Sequence, residues 1–146
     1  MVSMIFIRIL FALFSIHIAR ADIKTGAVPR LAFILAFPFF IMLKALLKDG
    51  NQLLENIFAA LAGLMVFLLA YFLSGRRLGL ADVWYSALIG LVLGLYWWYA
   101  AIGLACVTGI AYIIVAIITA NKRQIPFIPC MAFGSITMII IKGFLP

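Results

Sequence analysis

Two aspartates, Asp22 and Asp82, are the residues of this chain whose type is best suited to activating water. Two carboxyl groups that lie close together cannot both ionise easily, so they share one proton and one pKa rises. The ionised carboxylate can accept a proton from water while the protonated one donates to a carbonyl oxygen or a leaving amine. We therefore expect aspartic-protease chemistry, which needs no metal, no other cofactor and no covalent intermediate.

Each aspartate also has a purely structural interpretation. Asp82 would serve as the cap of a helix N-terminus, where aspartate is favoured and suits the helix dipole. Asp22 would be a solvated residue at the end of a helix, close to Lys24. The catalytic interpretation depends on both aspartates lying at the same face of the protein with no other acid beside them.

Other hydrolytic chemistries lack the residues that they need. The one histidine, His17, lies inside an apolar segment, so a zinc site with two histidines cannot form and a Ser-His pair is disfavoured. Cys106 and Cys130 are isolated and form no Cys-x-x-Cys pair. A Ser-Lys dyad stays open, although Ser74 and Ser86 have no lysine at an evident helical spacing.

The composition predicts an integral membrane protein. Of the 146 residues, 68% are hydrophobic and 10% are charged, and the mean hydropathy is +1.31. Soluble globular domains carry about 25% charged residues. A chain this apolar is also not disordered, and its two cysteines exclude a disulfide scaffold.

Six apolar segments have roughly the 20 residues that a transmembrane helix needs. Short polar breaks separate them, except that the fourth break is only the aromatic stretch 97–99. The sequence therefore predicts an all-α, polytopic membrane protein with six transmembrane helices and a single domain, residues 1–146. The segments are about residues 1–20, 28–47, 54–74, 83–99, 100–120 and 127–145.

Basic residues predict the orientation, because cytoplasmic loops of membrane proteins carry an excess of Lys and Arg. The odd-numbered loops carry seven basic residues and the opposite side carries four at most. We expect the odd loops and the pair Asp22 and Asp82 at the cytoplasmic face, with Asp49, Glu55 and both termini outside. The seven basic residues of the odd-numbered loops are Arg20, Lys24, Arg30, Arg76, Arg77, Lys122 and Arg123.

Residues 19–21 imitate a signal-peptide cleavage site, but no basic region precedes the apolar run, so we expect the first helix to be retained.

Three motifs resemble those of the type IV prepilin peptidases. Asp22-Ile-Lys-Thr-Gly-Ala-Val-Pro29 resembles their Asp-x6-Pro motif, and Gly79-Leu-Ala-Asp82 resembles their Gly-x-Gly-Asp motif. Lys122-Arg-Gln-Ile-Pro-Phe-Ile-Pro129 looks like their Lys-x-x-Ile-Pro-Phe-x-Pro segment. The order and spacing of the three motifs match, and the resemblance covers essentially the whole chain.

The resemblance implies a membrane aspartic endopeptidase that removes the short basic leader of prepilins or pilin-like proteins. Cleavage would occur at the cytoplasmic face of the inner membrane, just before the hydrophobic helix of the substrate. Asp22 and Asp82 map onto the two catalytic aspartates of the family. The implied partner is a pilin-like membrane protein, beside the lipid bilayer that the composition predicts. We expect no nucleic-acid partner, because binding one would need a basic face on a soluble fold. The residues that support the motifs are Pro29, Gly79, Ala81, Pro126 and Pro129.

The chain departs from the family pattern at three points. Ala81 replaces the second glycine of the Gly-x-Gly-Asp motif, and alanine is still small enough for close helix packing. Trp84 stands where the family usually has a lysine, so any role of that lysine has no counterpart here. The sequence has no match to the region with two Cys-x-x-Cys pairs of the large bacterial members. We therefore expect a peptidase without N-methyltransferase activity.

Two functions of other classes stay open. The chain could be a non-catalytic scaffold of a pilus or secretion system that derives from such a peptidase. It could also be a small transporter that uses the two aspartates as a proton relay. A transporter favours acids near the middle of the bilayer, whereas these two lie at the ends of the predicted helices.

Small residues at helical spacing predict where helices approach closely. Gly90 and Gly94 form one such face, and Ala101 with Ala105 form another on the next helix. Tight packing at Gly90 would hold the fourth helix, and Asp82 with it, in place.

Overall fold

The chain forms helices at all six places where the apolar segments predict them. The structure, a computed structural model, describes residues 2–46, 50–76, 78–119 and 127–144. These residues contain no β-strand, which confirms the all-α fold class. The helices are α1 (Val2–Thr25), α2 (Arg30–Leu46), α3 (Gly50–Leu73), α4 (Leu80–Leu93), α5 (Leu95–Ile118) and α6 (Phe127–Phe144).

Length and hydropathy single out two segments of the described chain that could cross a membrane by themselves. They are Gln52–Leu73 of α3 and Leu95–Ala116 of α5. The helix α4 and Phe127–Gly143 of α6 are apolar but shorter. Together with the 68% hydrophobic composition, these helices agree with a helical membrane protein.

Two helix boundaries differ from the prediction. The helix α1 continues to Thr25, so Asp22 lies within its last turn and not beyond its end. The helix α4 ends at Leu93 and α5 begins at Leu95, before the aromatic residues that were expected to form the break. Gly94 separates them with a φ of 83°, a left-handed conformation that glycine adopts at little cost. One glycine therefore ends the helix where no charged residue marks the break.

Small residues allow two pairs of helices to pack closely, α3 with α4 and α5 with α6. A methyl group at Gly90 of α4 would lie 2.5 Å from the carbonyl oxygen of Ala59 in α3, so no larger residue fits there. Gly134 of α6 approaches the carbonyl oxygen of Ala101 in α5 in the same way. Close packing is thus confirmed at Gly90 and Ala101. Gly94 ends α4 and also lies close to α3, because a methyl group there would lie 2.9 Å from Oδ1 of Asn56.

The helix α4 is enclosed by the other helices. From Asp82 to Leu93 every residue except Trp84 is buried. With 14 residues at 1.5 Å each, α4 is about 21 Å long. It carries Asp82 at one end and reaches the other side of the bundle inside the protein.

The helix α1 reaches Asp82 from a different side. It packs most extensively against α6 and touches α2 and α4 at only a few points. At one of these points the ring of Phe11 stacks on that of Tyr85, with centroids 6.2 Å apart. The helices that carry Asp22 and Asp82 therefore belong to different packing units, α1 with α6 and α4 with α3.

Candidate active site

Asp82 lies in the first turn of α4, three residues after the N-cap residue Gly79. Its carboxylate accepts a hydrogen bond from the backbone N–H of Gly79 at 3.1 Å. Glycine has no side chain to return the bond, so only the carboxylate half of a capping box is present. The interpretation of Asp82 as the helix cap itself is therefore wrong. The side chain lies one turn inside the helix and is 7% exposed.

Position 79 leaves space for this carboxylate. A methyl group at Gly79 would lie 3.1 Å from Oδ2 of Asp82, closer than most such contacts. The backbone of Gly79 is extended, with φ −71° and ψ 139°, so space and not backbone freedom favours glycine. Ala81, at the second glycine of the motif, is half-buried and packs against the hydrophobic core.

Asp22 lies in the last turn of α1 and is half-buried. Just beyond the helix, Gly26 adopts a left-handed φ of 64°, and its N–H donates to the Asp22 carbonyl at 2.8 Å. This is the common way in which a glycine satisfies the last carbonyls of a helix. The Asp22 side chain is therefore carried by an ordered helix end.

The two carboxyl groups, both outside the predicted spans, lie within electrostatic range of each other. Burial raises the pKa of Asp82 from its ordinary 3.8 to about 7. The hydrogen bond from Gly79 opposes this shift, and the negative charge of Asp22 adds to it. Burial also raises the pKa of Asp22, which is less deeply buried. The fold thus brings together two aspartates that the sequence places far apart.

A carboxyl pair of this kind can hold one proton near neutral pH. Asp82 is the more buried group, so it is the one that keeps its proton longer as the pH rises. Asp22 ionises first and can act as a base while Asp82 acts as an acid.

The prolines of the motifs, where they are described, lie at helix starts. Pro29 is exposed and directly precedes α2, and its carbonyl accepts a hydrogen bond from the N–H of Ala32 at 3.0 Å. Pro129 is half-buried in the first turn of α6, where proline is tolerated. Pro126 lies outside the described residues. Pro29 and Pro129 thus have a role in beginning α2 and α6.

Trp84 lies on the other side of α4 from Asp82. Two residues along an α-helix rotate a side chain by about 200°. The Trp84 ring is 42% exposed and packs edge-on against Phe37 of α2, with centroids 6.0 Å apart. Where the prepilin peptidases have a lysine, this chain therefore has an aromatic contact between α4 and α2.

The other two acids do not join the pair in the described structure. Glu55 is exposed in α3. The adjacent Asn56 lines a cavity together with Val92, close to the opposite end of α4. Asp49 lies outside the described residues. The predicted separation of Glu55 from Asp22 and Asp82 agrees with this placement.

Two lysines hold that opposite end of α4, and the sequence did not reveal them. Lys44 of α2 is 2% exposed and donates to the carbonyl of Val92 at 3.2 Å. Lys142 of α6 donates to the carbonyl of Leu93 at 2.9 Å. Cations are favoured at helix C-termini, but the sequence does not show which helix a given lysine will reach.

Comparison with known families places much of the chain in one of them. The sequence model of the type IV leader peptidase family matches residues 9–114. This region contains Asp22, Pro29 and the motif at 79–82, and it ends before the motif at 122–129. Neither curated proteins nor solved structures give a significant match.

Proposed function

The chain belongs to the type IV leader peptidase family, and we propose that it cleaves prepilins or pilin-like proteins with Asp22 and Asp82 as its catalytic pair. The family match supports a protease of the prepilin-peptidase kind. One observation carries the choice of residues: Asp82 is buried with its pKa raised to about 7, and Asp22 lies within electrostatic range of it. The proposed substrate has a short basic leader followed by a hydrophobic helix.

In the proposed reaction Asp22 is the general base and Asp82 the general acid. Ionised Asp22 takes a proton from water, whose oxygen attacks the carbonyl carbon of the scissile bond. Asp82 donates its proton to the carbonyl oxygen, which forms a tetrahedral gem-diol. Asp22 then gives its proton to the amide nitrogen, the C–N bond breaks, and one hydroxyl of the diol returns a proton to Asp82. Both carboxyl groups end in their starting states.

We propose that the pair faces the cytoplasm. This orientation is supported by the exposed basic residues Lys24, Arg30 and Arg76 near the ends of α1, α2 and α3. A test labels single cysteines with a membrane-impermeant maleimide after Cys106 and Cys130 have been replaced by alanine. Lys24→Cys should react only in inside-out vesicles, and Gln52→Cys only in right-side-out vesicles. The reverse pattern would place the pair outside.

Leader removal tests the catalytic assignment. A prepilin-like protein from the same genome is co-expressed with wild type, Asp22→Asn, Asp82→Asn or Glu55→Gln, and its size is followed on a gel. Glu55→Gln is the matched control, because Glu55 is an exposed acid away from the pair. We expect each aspartate variant to lose roughly 10³-fold of the cleavage rate and Glu55→Gln to lose none.

Two outcomes would contradict the proposal. Cleavage that survives both Asp22→Asn and Asp82→Asn would show that another group activates water. A wild-type protein that cleaves no prepilin-like protein of its own genome would favour the non-catalytic scaffold.

A further inference from the structure

Asp22 and Asp82 are brought together by helices from different packing units. The helix α1 packs mainly against α6, and α4 mainly against α3, whereas α1 and α4 touch at only a few points. Apolar contacts give little driving force for helix association in a membrane, because lipid tails are as apolar as the side chains, so packing and interhelical hydrogen bonds matter more. A polar contact between the two units would fix their register, and with it the separation of the carboxyl groups.

Tyr85 makes such a contact. It follows Asp82 by three residues, so it lies on the same face of α4 about one turn deeper. Its hydroxyl lies 3.4 Å from the hydroxyl of Ser135 in α6. The hydroxyl of Ser15 in α1 lies near enough to interact with it electrostatically. Three side chains from three helices, each fully buried, therefore meet beneath the aspartates.

Ser15 lies on the same face of α1 as Asp22, just as Tyr85 lies on the same face of α4 as Asp82. It precedes Asp22 by seven residues, about two turns of α1, so the two side chains share a face. Phe11 lies one turn further along this face and stacks on the Tyr85 ring, with the planes 16° apart. The face of α1 that carries Asp22 is thus the face that meets Tyr85.

Within this group of hydroxyls, Tyr85 has the proton that can join the helices. The Ser15 hydroxyl donates to the carbonyl of Phe11 at 2.8 Å. The Ser135 hydroxyl donates to the carbonyl of Ala132 at 3.0 Å. Each serine hydroxyl donates its single hydrogen bond within its own helix, so towards Tyr85 it can only be an acceptor. At the end of α4 that carries Asp82, the bond between the packing units therefore depends on the Tyr85 hydroxyl, whereas Lys142 joins α6 to the opposite end of α4.

We propose that Tyr85 is a positioning residue, whose hydroxyl donates to Ser135 of α6, holds α4 against the packing unit of α1 and α6, and so sets the separation of Asp22 and Asp82. This proposal rests on the proposed function, because it gives the separation of the two carboxyl groups a role in catalysis. A role in packing alone would belong to the ring, which contacts Phe11 and Phe33 with or without the hydroxyl.

Tyr85→Phe isolates the hydroxyl. The ring contacts remain, and both serines keep their bonds to their own helices, so no donor of the group is orphaned. We expect the variant to fold and kcat for prepilin cleavage to fall roughly tenfold, with KM unchanged. A wider separation weakens the repulsion by Asp22, so the pKa of Asp82 falls below about 7. The limb of the pH profile that Asp82 controls should move to lower pH.

Ser86→Ala is the matched control. Ser86 is fully buried on the same helix, but it joins α4 to α3 and α5. Its hydroxyl donates to the carbonyl of Gly63 at 3.3 Å and accepts the indole N–H of Trp98 at 3.0 Å. We expect Ser86→Ala to lower Tm, because it orphans a buried N–H, and to leave the pH limb in place. The positioning role would be overturned if both variants lost the same fraction of kcat and neither shifted the limb of the pH profile that Asp82 controls.

A second measurement needs no peptidase activity. A carbodiimide modifies protonated carboxyl groups, so the rate of Asp82 modification against pH, followed by mass spectrometry, reports the pKa of Asp82. We expect its midpoint to fall in Tyr85→Phe and to stay fixed in Ser86→Ala. An unchanged midpoint in Tyr85→Phe overturns the positioning role whether or not a prepilin is cleaved. A lowered midpoint in a protein that cleaves nothing supports the arrangement and rejects the proposed function.

Discussion

The two ends of α4 differ in how they treat charge. At its C-terminal end, here called the lysine end, Lys44 and Lys142 donate to the carbonyls of Val92 and Leu93. These are the last two residues of the helix, and its C-terminus carries partial negative charge. The lysine end therefore pairs opposite charges and satisfies carbonyls that the helix itself leaves without partners.

The N-terminal end, here called the aspartate end, brings like charges together. Asp82 accepts one backbone hydrogen bond from Gly79, and burial and the charge of Asp22 both oppose its ionisation. Burial and repulsion of this kind cost stability, and they keep a carboxyl group protonated near neutral pH. One end of α4 thus anchors the helix, while the other sets up acid and base groups.

The largest expected effect is a loss of cleavage without a loss of stability, on substitution at the aspartate end. Asp82→Asn keeps an oxygen to accept the Gly79 N–H but cannot exchange a proton, so cleavage should fall roughly 10³-fold. Its Tm at pH 8 should equal or exceed that of wild type. Folding raises the pKa of Asp82, so the folded state binds more protons than the unfolded state. The aspartate therefore destabilises the fold increasingly as pH rises from 3.8 to about 7.

Thermal melting in detergent checks this prediction, with Glu55→Gln as the control for removal of an acid. A clear drop in Tm for Asp82→Asn alone would show that the carboxylate stabilises the fold. The aspartate end would then stabilise the fold, as the lysine end does.

The pH dependence of cleavage should show a loss of activity on the alkaline side. Asp82 loses its proton as pH rises through about 7, so kcat/KM, which reports the groups of the free enzyme, should then fall about tenfold per pH unit. On the acid side, kcat/KM should fall where Asp22 gains a proton. The measurement is kcat/KM for a prepilin peptide across the pH range. Lys44→Met should keep both limbs in place, and a flat wild-type profile through pH 7 would contradict the assignment of Asp82 as the acid.

At the lysine end the expected effect is on stability. Lys44→Met removes the buried donor to the Val92 carbonyl while keeping an apolar chain of similar length. The loss of a charged hydrogen bond should destabilise the fold by about 2 kcal/mol, with kcat of the folded protein close to wild type. Tm measurements beside Lys24→Met, where the lysine is exposed, test this. An unchanged Tm would remove the stabilising role from Lys44.

The smallest effect should come from Arg8→Gln. Arg8 is partly buried and donates to the backbone carbonyl of Lys142 at 3.3 Å, a long hydrogen bond. Its loss should lower stability by about 0.5 kcal/mol and should leave cleavage unchanged. A Tm loss as large as that of Lys44→Met would mean that Arg8 belongs to the anchoring of α4.

The aspartate end could be predicted because charge is rare in this chain. Asp22 and Asp82 stand out among four acids, and alternating helices return both to one side. The family match covers the motifs that contain both aspartates. Their cytoplasmic location and catalytic role stay predictions.

The lysine end and the Tyr85 contact could not be predicted, for a physical reason. Residues that face lipid and residues that face the protein interior are both apolar in a membrane helix, so the sequence of α4 does not mark its buried face. The end of α4 at Gly94 was not predicted, because a left-handed backbone has no signature in the sequence beyond glycine itself. Tyr85 and Ser15 have helical spacings to Asp82 and Asp22, and this spacing is the signal that could have found them.

The length of α4 bears on how the protein is assembled in the membrane. At about 21 Å, its 14 residues fall short of the roughly 30 Å hydrocarbon layer. A segment this short would leave polar backbone groups in contact with lipid if it entered the bilayer alone. We therefore expect its insertion to depend on α3, made just before it, and on α5, made just after. The burial of α4 among its neighbours is then a condition for placing Asp82 at the site.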